Sequence, residues 1–180
     1  MRGCIVVAMS RVALKTGEKF QCSVLDFYAR KQTHVVRSTF AAELMAMIDA
    51  VQVGSLINLV LTELYTDTTI TVNDLARMQE SGKLLLPLEV CVDAKSVYDA
   101  LASDPIRVPT EKSLYIHLLA VSDLIRRGVL TKVWWIDTKD MASDALTKGS
   151  IDREVVMLLS STGTWEFIGL PPVCFGSSCE

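Results

Sequence analysis

Three acidic residues in this sequence stand where carboxylates can act on a common ligand. Glu43 borders the apolar stripe of a predicted helix, Asp93 directly follows an apolar run, and Asp144 falls in the first turn of a predicted short helix. An acid beside a core-facing surface is costly unless it is paired or binds a cation. Because Mg²⁺ prefers carboxylate oxygens and retained waters, the three acids predict a metal site for Mg²⁺ or Mn²⁺.

Each acid also has an ordinary structural explanation. Glu43 can extend its side chain from the helix edge into water, Asp93 can cap the following helix, and Asp144 is favoured at a helix start by the helix dipole. The metal hypothesis therefore depends on the elements that bring the three acids together.

The first of these elements is a long helix that begins after Ser38. Serine is a favourable N-cap, and apolar residues then recur with the i, i+4, i+7 spacing of a core-facing stripe. The residues of this stripe are Phe40, Leu44, Met47 and Val51. Glu43 lies at its edge, whereas Asp49 lies on the opposite side of the helix, where we expect it to be solvated.

Four apolar or β-branched runs predict strands. Cys4–Met9 and Phe20–Tyr28 precede the long helix and are joined by a short turn, so we expect them to be antiparallel. Leu88–Val92 ends at Asp93, and Leu130–Ile136 precedes the segment with Asp144. Helices are predicted between and after these later strands. The order β β α (α) β α α β α α is typical of an α/β fold with a mixed sheet.

Composition bounds the class of protein. The chain has 180 residues, 50% of them hydrophobic and 22% charged, which fits one globular domain and excludes a disordered chain. The net charge of −3 argues against a strongly basic nucleic-acid surface, although an enzyme that carries divalent cations can still act on nucleic acid. The apolar stretch Val51–Leu64 is too short and too polar for a membrane span, and no signal peptide is recognised. We expect an intracellular protein, cytoplasmic or nuclear, that is neither secreted nor in a membrane.

Other residues receive ordinary interpretations. Asp137 and Asp140 flank the segment with Asp144 and are predicted to be a loop residue and a helix cap. Trp134 and Trp135 are predicted to point to opposite faces of one strand, with one of them in the core. The five cysteines contain no CxxC pair, so we expect thiols rather than disulfides or metal ligands.

The three segments that carry the acids resemble motifs of the ribonuclease H domain of copia-type retrotransposon polyproteins. Residues 36–44, VRSTFAAEL, are similar to a segment of Ser-Ser-x-x-Glu-Ala-Glu character. Residues 90–96, VCVDAKS, resemble a strand-Asp-x-x-Ser element, and residues 141–149, MASDALTKG, resemble a closing Met-x-Ala-Asp-x-Leu-Thr-Lys motif. The motifs occur in the family's order, and the resemblance covers about residues 3 to 168.

The resemblance implies a fold, an activity and partners. The fold is a ribonuclease H-like mixed sheet with helices on both faces. The activity is hydrolysis of the RNA strand of an RNA–DNA hybrid by two metal ions that four carboxylates hold. Glu43 matches the helix acid, Asp93 the acid after the fourth strand, and Asp144 the final acid. The implied partners are the RNA–DNA hybrid and a reverse transcriptase domain upstream in the same polyprotein.

The family's first carboxylate lies on a central strand upstream of the strand matched by residues 3–9. Only Met1 and Arg2 precede that point. We therefore expect residues 1–169 to form a domain that lacks its first, central strand, with a flexible tail over residues 170–180. Asp26 is a candidate substitute for the first acid.

With three acids, we expect weak binding of one Mg²⁺ or Mn²⁺ ion and little or no hybrid cleavage by residues 1–180 alone. An alternative hypothesis is a catalytically inactive remnant of a retroelement that binds nucleic acid or a protein. A further alternative is a fragment of a longer polyprotein.

Overall fold

The structure, a computed structural model, describes residues 2–9, 15–31, 36–66, 69–149 and 153–174. The elements in these ranges follow the predicted order closely. They are β1 (Arg2–Met9), β2 (Phe20–Arg30), α1 (Thr39–Tyr65), α2 (Val72–Glu80), β3 (Glu89–Val92), α3 (Lys95–Ala102), α4 (Ser113–Arg126), β4 (Lys132–Trp135), a 3₁₀ helix (Thr138–Asp140), α5 (Asp144–Thr147), α6 (Glu154–Thr162) and β5 (Thr164–Trp165).

The strands form two small sheets. β1 pairs antiparallel with β2, and β2 pairs antiparallel with β5. β3 pairs in parallel with β4. The predicted α/β class, with both strand directions, is confirmed. Within the described residues, β1 and β3 lie at the edges of separate sheets and are not hydrogen-bonded to each other, so the single ribonuclease H-like mixed sheet stays a prediction.

Helix α1 joins the two sheets by packing against both β1 and β3. The Ser38 hydroxyl caps the helix by accepting a hydrogen bond from the Ala41 N–H at 3.1 Å, as predicted. Gly54 does not end the helix. Its α-carbon lies against Leu88, where an added Cβ would be 2.8 Å from Leu88 Cδ1, so glycine serves close packing there.

The buried side of α1 is polar in its second half. The Asn58 amide donates to the Leu86 carbonyl oxygen at 2.6 Å and accepts from the Leu86 N–H at 3.2 Å. The Thr62 hydroxyl accepts from the Leu85 N–H at 3.0 Å. These bonds attach the segment that leads into β3 to the helix that carries Glu43.

Among the described helices, α1 is long and apolar enough to cross a membrane, judged by length and composition alone. A core helix of a water-soluble protein passes the same test. The expectation that the chain does not enter a membrane stays a prediction.

Two apolar clusters lie on opposite sides of β4. Val133 packs with α1, α3 and α4, in a cluster that includes Leu44 and Leu118. Trp134 packs on the other side with β2, α6 and the Phe167 ring, which is fully buried. Helices therefore cover both faces, and Trp134 is the core tryptophan of the predicted pair.

Part of the segment predicted as a flexible tail is attached to β4. The Leu170 N–H donates to the Trp135 carbonyl oxygen at 3.1 Å, and Val173 forms an antiparallel bridge with Val133. Residues 175–180 of the predicted tail lie outside the described residues.

The cysteines depart from the prediction at one position. Cys4, Cys22 and Cys91 are free, and burial raises the pKa of the Cys4 thiol to about 11 and that of Cys91 to about 12. Cys174 is disulfide-bonded, so the expectation of thiols throughout is wrong. The absence of a CxxC pair in the sequence therefore did not exclude a disulfide bond.

Candidate functional site

The three predicted acids come from separate elements and share one electrostatic environment. Glu43 lies in the second turn of α1, Asp93 follows the last residue of β3, and Asp144 is the first residue of α5. Burial is the main cause that raises the pKa of the Glu43 carboxyl, and the charge of Asp93 is the next. Burial and then the charge of Asp144 raise the pKa of Asp93. We call Glu43, Asp93 and Asp144 the acid centre.

The members of the acid centre differ in burial. Asp144 is only 8% exposed, and Asp93 is half-buried. Glu43 is exposed as a residue, although burial of its carboxyl group is still the main cause that raises its pKa. Such carboxylates repel one another more strongly than they would in water, because the surrounding protein screens their charges less.

Asp93 is held in place by the segment after β4. The Trp135 indole N–H donates to the Asp93 carbonyl oxygen at 2.9 Å. A hydrogen bond from the Thr138 side chain to the Asp93 carboxylate lowers the pKa of Asp93 and so opposes the effect of burial. Neither positioning residue was predicted from the sequence. The available signal was the need of a half-buried indole N–H for an acceptor.

Lys148 places a positive charge inside the acid centre. Its Nζ lies 2.6 Å from Asp144 Oδ2, and its N–H donates to the Asp144 carbonyl oxygen at 2.9 Å. The hydrogen bond from the Lys148 ammonium to the Asp144 carboxylate is the main cause that raises the pKa of Lys148. The lysine charge lowers the pKa of both Glu43 and Asp93. The i, i+4 spacing of Asp144 and Lys148 was the signal that sequence reasoning overlooked.

The two acids that flank the last motif have other roles than predicted. Asp137 caps the 3₁₀ helix, because its carboxylate accepts from the Lys139 N–H at 2.9 Å. The Asp140 carboxylate instead accepts from the Ile168 N–H at 2.8 Å. The prediction of Asp140 as the cap was wrong because a short 3₁₀ helix, which the sequence analysis did not include, ends at Asp140.

Two further acids lie beside β1. Asp26, the candidate substitute, is exposed on β2, accepts from the Phe27 N–H at 2.8 Å and acts electrostatically on Cys4. Asp49 forms an ion pair with Arg2, whose side chain is 8% exposed. The Asp49 side chain is 41% exposed, as expected on the solvated side of α1, and the packing of α1 on β1 also brings it to the buried arginine.

The acid centre fits a divalent cation in its chemistry but not in its arrangement. Carboxylate oxygens are suitable ligands, and mutual repulsion among the acids is what a bound cation relieves. Within the described residues, however, no three histidine, cysteine, aspartate or glutamate side chains are grouped so that they could hold one metal ion. Asp144 Oδ2 is already paired with the Lys148 ammonium.

The arrangement can therefore do two things chemically. It can attract a cation by the charge of three carboxylates, and it can offer the Lys148 ammonium as a donor to an anionic oxygen. Comparison with known proteins adds no relative that chooses between them. No family model matches the chain, and neither the curated proteins nor the solved structures contain a match.

Proposed function

We propose that this chain is a ribonuclease H-type domain of a copia-type element, which recognises RNA–DNA hybrid through a divalent cation at the acid centre. The implied reaction is metal-dependent hydrolysis of the RNA strand. With three carboxylates in the centre, residues 1–180 on their own bind one Mg²⁺ or Mn²⁺ weakly and cleave little or no hybrid.

The observation that carries the proposal is the convergence of three acids from distant parts of the sequence. Glu43 and Asp93 are 50 residues apart, Asp93 and Asp144 are 51 apart, and each lies in a different motif of the resemblance. Even so, the three charges act on one another. Perturbed acids that cluster at the ends of elements are typical of functional sites.

The sheet edges support the same proposal for the fold. β1 and β3 are edge strands under one helix, α1, and are not paired with each other. In the family that the sequence resembles, the first strand lies between the strands matched by β1 and β3. We therefore propose that the two sheets correspond to the two halves of a ribonuclease H-like sheet.

The first experiment measures hybrid binding by fluorescence anisotropy, with and without Mg²⁺, for the wild type and Asp93→Asn. We expect Mg²⁺ to strengthen hybrid binding and Asp93→Asn to remove that effect. Asp99→Asn is the matched control, because Asp99 is a more exposed acid that pairs with Lys95. Absence of hybrid binding, or binding that ignores both Mg²⁺ and Asp93, contradicts the proposal.

A second experiment measures cleavage of a labelled RNA–DNA duplex with Mn²⁺. We expect little or none from residues 1–180. Robust cleavage that Asp93→Asn abolishes contradicts this expectation about activity. It also indicates that a further residue completes the acid centre. Asp26 is the first residue to test by mutation.

One observation favours the second candidate, an inactive remnant that binds nucleic acid or a protein. Lys148 already supplies a positive charge to the Asp144 carboxylate, which is the role that a bound cation would have there. Hybrid binding that is independent of divalent cations, together with no cleavage in Mn²⁺, favours this candidate over the nuclease.

A further inference from the structure

Strand β2 is covered along only part of one edge. β5 pairs with that edge at Phe20 and Gln21. Within the described residues, no strand pairs with the same edge over residues 23–30. Seven of these eight residues are exposed, whereas every residue of the neighbouring strand β1 is buried or half-buried. We call residues 23–30 the open edge of β2.

The backbone of the open edge can accept a further strand. The Phe27 N–H donates to Asp26 Oδ1 at 2.8 Å, so it points away from β1. Backbone groups alternate between the two edges of an antiparallel strand, and Ala29 therefore presents its N–H and C=O on the same side as Phe27. An exposed row of such groups is a template for another chain.

One face of the open edge exposes large apolar side chains. Phe27 is 64% exposed and Val24 is 39% exposed. Their partners in β1 are Ile5 and Val7, which pack against the cluster around Trp134, so Phe27 and Val24 extend that apolar face towards the edge. A further strand would remove part of this surface from water, which is favourable.

The other face carries two opposite charges. Asp26 and Arg30 lie two residues before and two residues after Tyr28, so the three side chains share this face. The Arg30 guanidinium lies 4.7 Å from the centroid of the Tyr28 ring. Neither Asp26 nor Arg30 forms an ion pair with another described residue.

We propose that the open edge of β2 pairs antiparallel with the open edge of a second copy of this chain, with the twofold axis at Tyr28. In that register Phe27 lies opposite Ala29 of the second copy, and the two residues exchange backbone hydrogen bonds. Asp26 lies opposite Arg30 of the second copy, once on each side of the axis. Residues at such non-hydrogen-bonded positions have Cα atoms about 4.5 Å apart, so the two charges meet.

The charges select this register over its neighbours. An axis at Asp26 or at Arg30 would place like charges directly opposite each other, which is unfavourable. An axis at Phe27 would place Asp26 opposite Tyr28 and leave its charge unpaired. A second copy is therefore the occupant that the charge pattern fits, because one edge supplies both halves of each ion pair. Pairing of one short strand buries less than a standard interface, so we expect a weak, concentration-dependent dimer.

The test measures the dimer Kd of the full chain by sedimentation equilibrium. We expect Asp26→Arg and Arg30→Asp each to raise this Kd by roughly tenfold or more, because two attractive pairs become two repulsive ones. The double variant that carries both substitutions restores opposite charges and should return to a Kd near that of the wild type. Asp123→Arg is the matched control, since it reverses an exposed acid on α4 and should leave the Kd unchanged.

Three results overturn the inference. The first is a wild type that stays monomeric at every concentration, whether or not it binds an extended peptide; the charges of the open edge then act to prevent pairing. The second is a dimer that the single reversals do not weaken. The third is a double variant that dimerises no more tightly than the single reversals.

A measurement on the wild type covers the case in which the variants do not fold. Hydrogen exchange of the Phe27 and Ala29 amides should slow as the protein concentration rises, because these amides become bonded in the dimer. Exchange at these amides that does not depend on concentration overturns the inference. The open edge contains no member of the acid centre, so these outcomes are separate from those that test the proposed function.

Discussion

Substitution of Asp93 by asparagine should stabilise the folded protein at neutral pH. Burial and the charge of Asp144 raise the pKa of Asp93 in the folded state, so its ionised form is less favourable there than in the unfolded chain. Asparagine keeps the size of the side chain and can still accept the hydrogen bond from Thr138. It removes the charge that Asp144 repels.

The size of the effect follows from the charges around Asp93. Two unit charges about 4 Å apart interact by about 4 kcal/mol at an effective dielectric of about 20, and the interaction weakens as their separation grows. Attraction to Lys148 and the Thr138 hydrogen bond offset a large part of this, since both lower the pKa of Asp93. We expect a net gain of about 1 kcal/mol, which raises Tm by about 2–4 °C for a domain of this size.

The pH dependence of Tm tests the sign of this electrostatic effect. Because the folded-state pKa is raised, the destabilisation by Asp93 is complete above that pKa and declines as the pH falls through it. It is absent below the unfolded-state pKa of about 3.9. The difference in Tm between Asp93→Asn and the wild type, measured by calorimetry, should be largest at pH 7–8 and vanish near pH 4.

Asp99→Asn is the control, and we expect its Tm to stay within about 1–2 °C of the wild type, because exposed ion pairs contribute little. A lower Tm for Asp93→Asn at pH 7, or a difference that does not change with pH, refutes the electrostatic reasoning for the acid centre.

Two further predictions concern the scaffold. Asn58→Ala removes both hydrogen bonds to Leu86 and should lower the free energy of unfolding by about 2 kcal/mol in urea titrations, whereas an unchanged midpoint contradicts the role of this contact. Gly82→Ala should cost about 2–5 kcal/mol, because Gly82 has φ +65° and an added Cβ would lie 2.5 Å from the Gly128 carbonyl carbon. Gly17→Ala is the matched control, since Gly17 has φ +75° with open space and should cost only about 1–2 kcal/mol, so equal losses count against the steric argument.

The features that could be predicted from the sequence are mostly local ones. The start of α1 follows from the Ser38 cap, and β1, β2 and β3 follow from continuous apolar runs. The end of α6 follows from Gly163, which has the positive φ that favours glycine. Each of these depends on residues within a few positions of one another, so a short window of sequence contains the cause.

The features that were missed depend on contacts between distant segments. Val173 bridges Val133 across 40 positions, which no local pattern indicates. The separation of β1 and β3 into two sheets is a matter of interstrand hydrogen bonds, which the strand pattern alone does not specify. The pairing of Lys148 with Asp144 is the exception, because their i, i+4 spacing was a local signal in the sequence.

The charge of the acid centre decides how a nucleic acid can approach it. Three carboxylates and one ammonium leave a formal charge of −2, and the whole chain carries −3. A phosphate group is therefore repelled unless a cation mediates.

For a protein that binds through a basic surface, added Mg²⁺ competes for the phosphates and weakens binding. For this protein the sign should be reversed, because Mg²⁺ converts a repulsive centre into an attractive one. The direction in which low millimolar Mg²⁺ changes hybrid affinity at constant ionic strength therefore separates binding at the acid centre from binding at any basic surface of the chain.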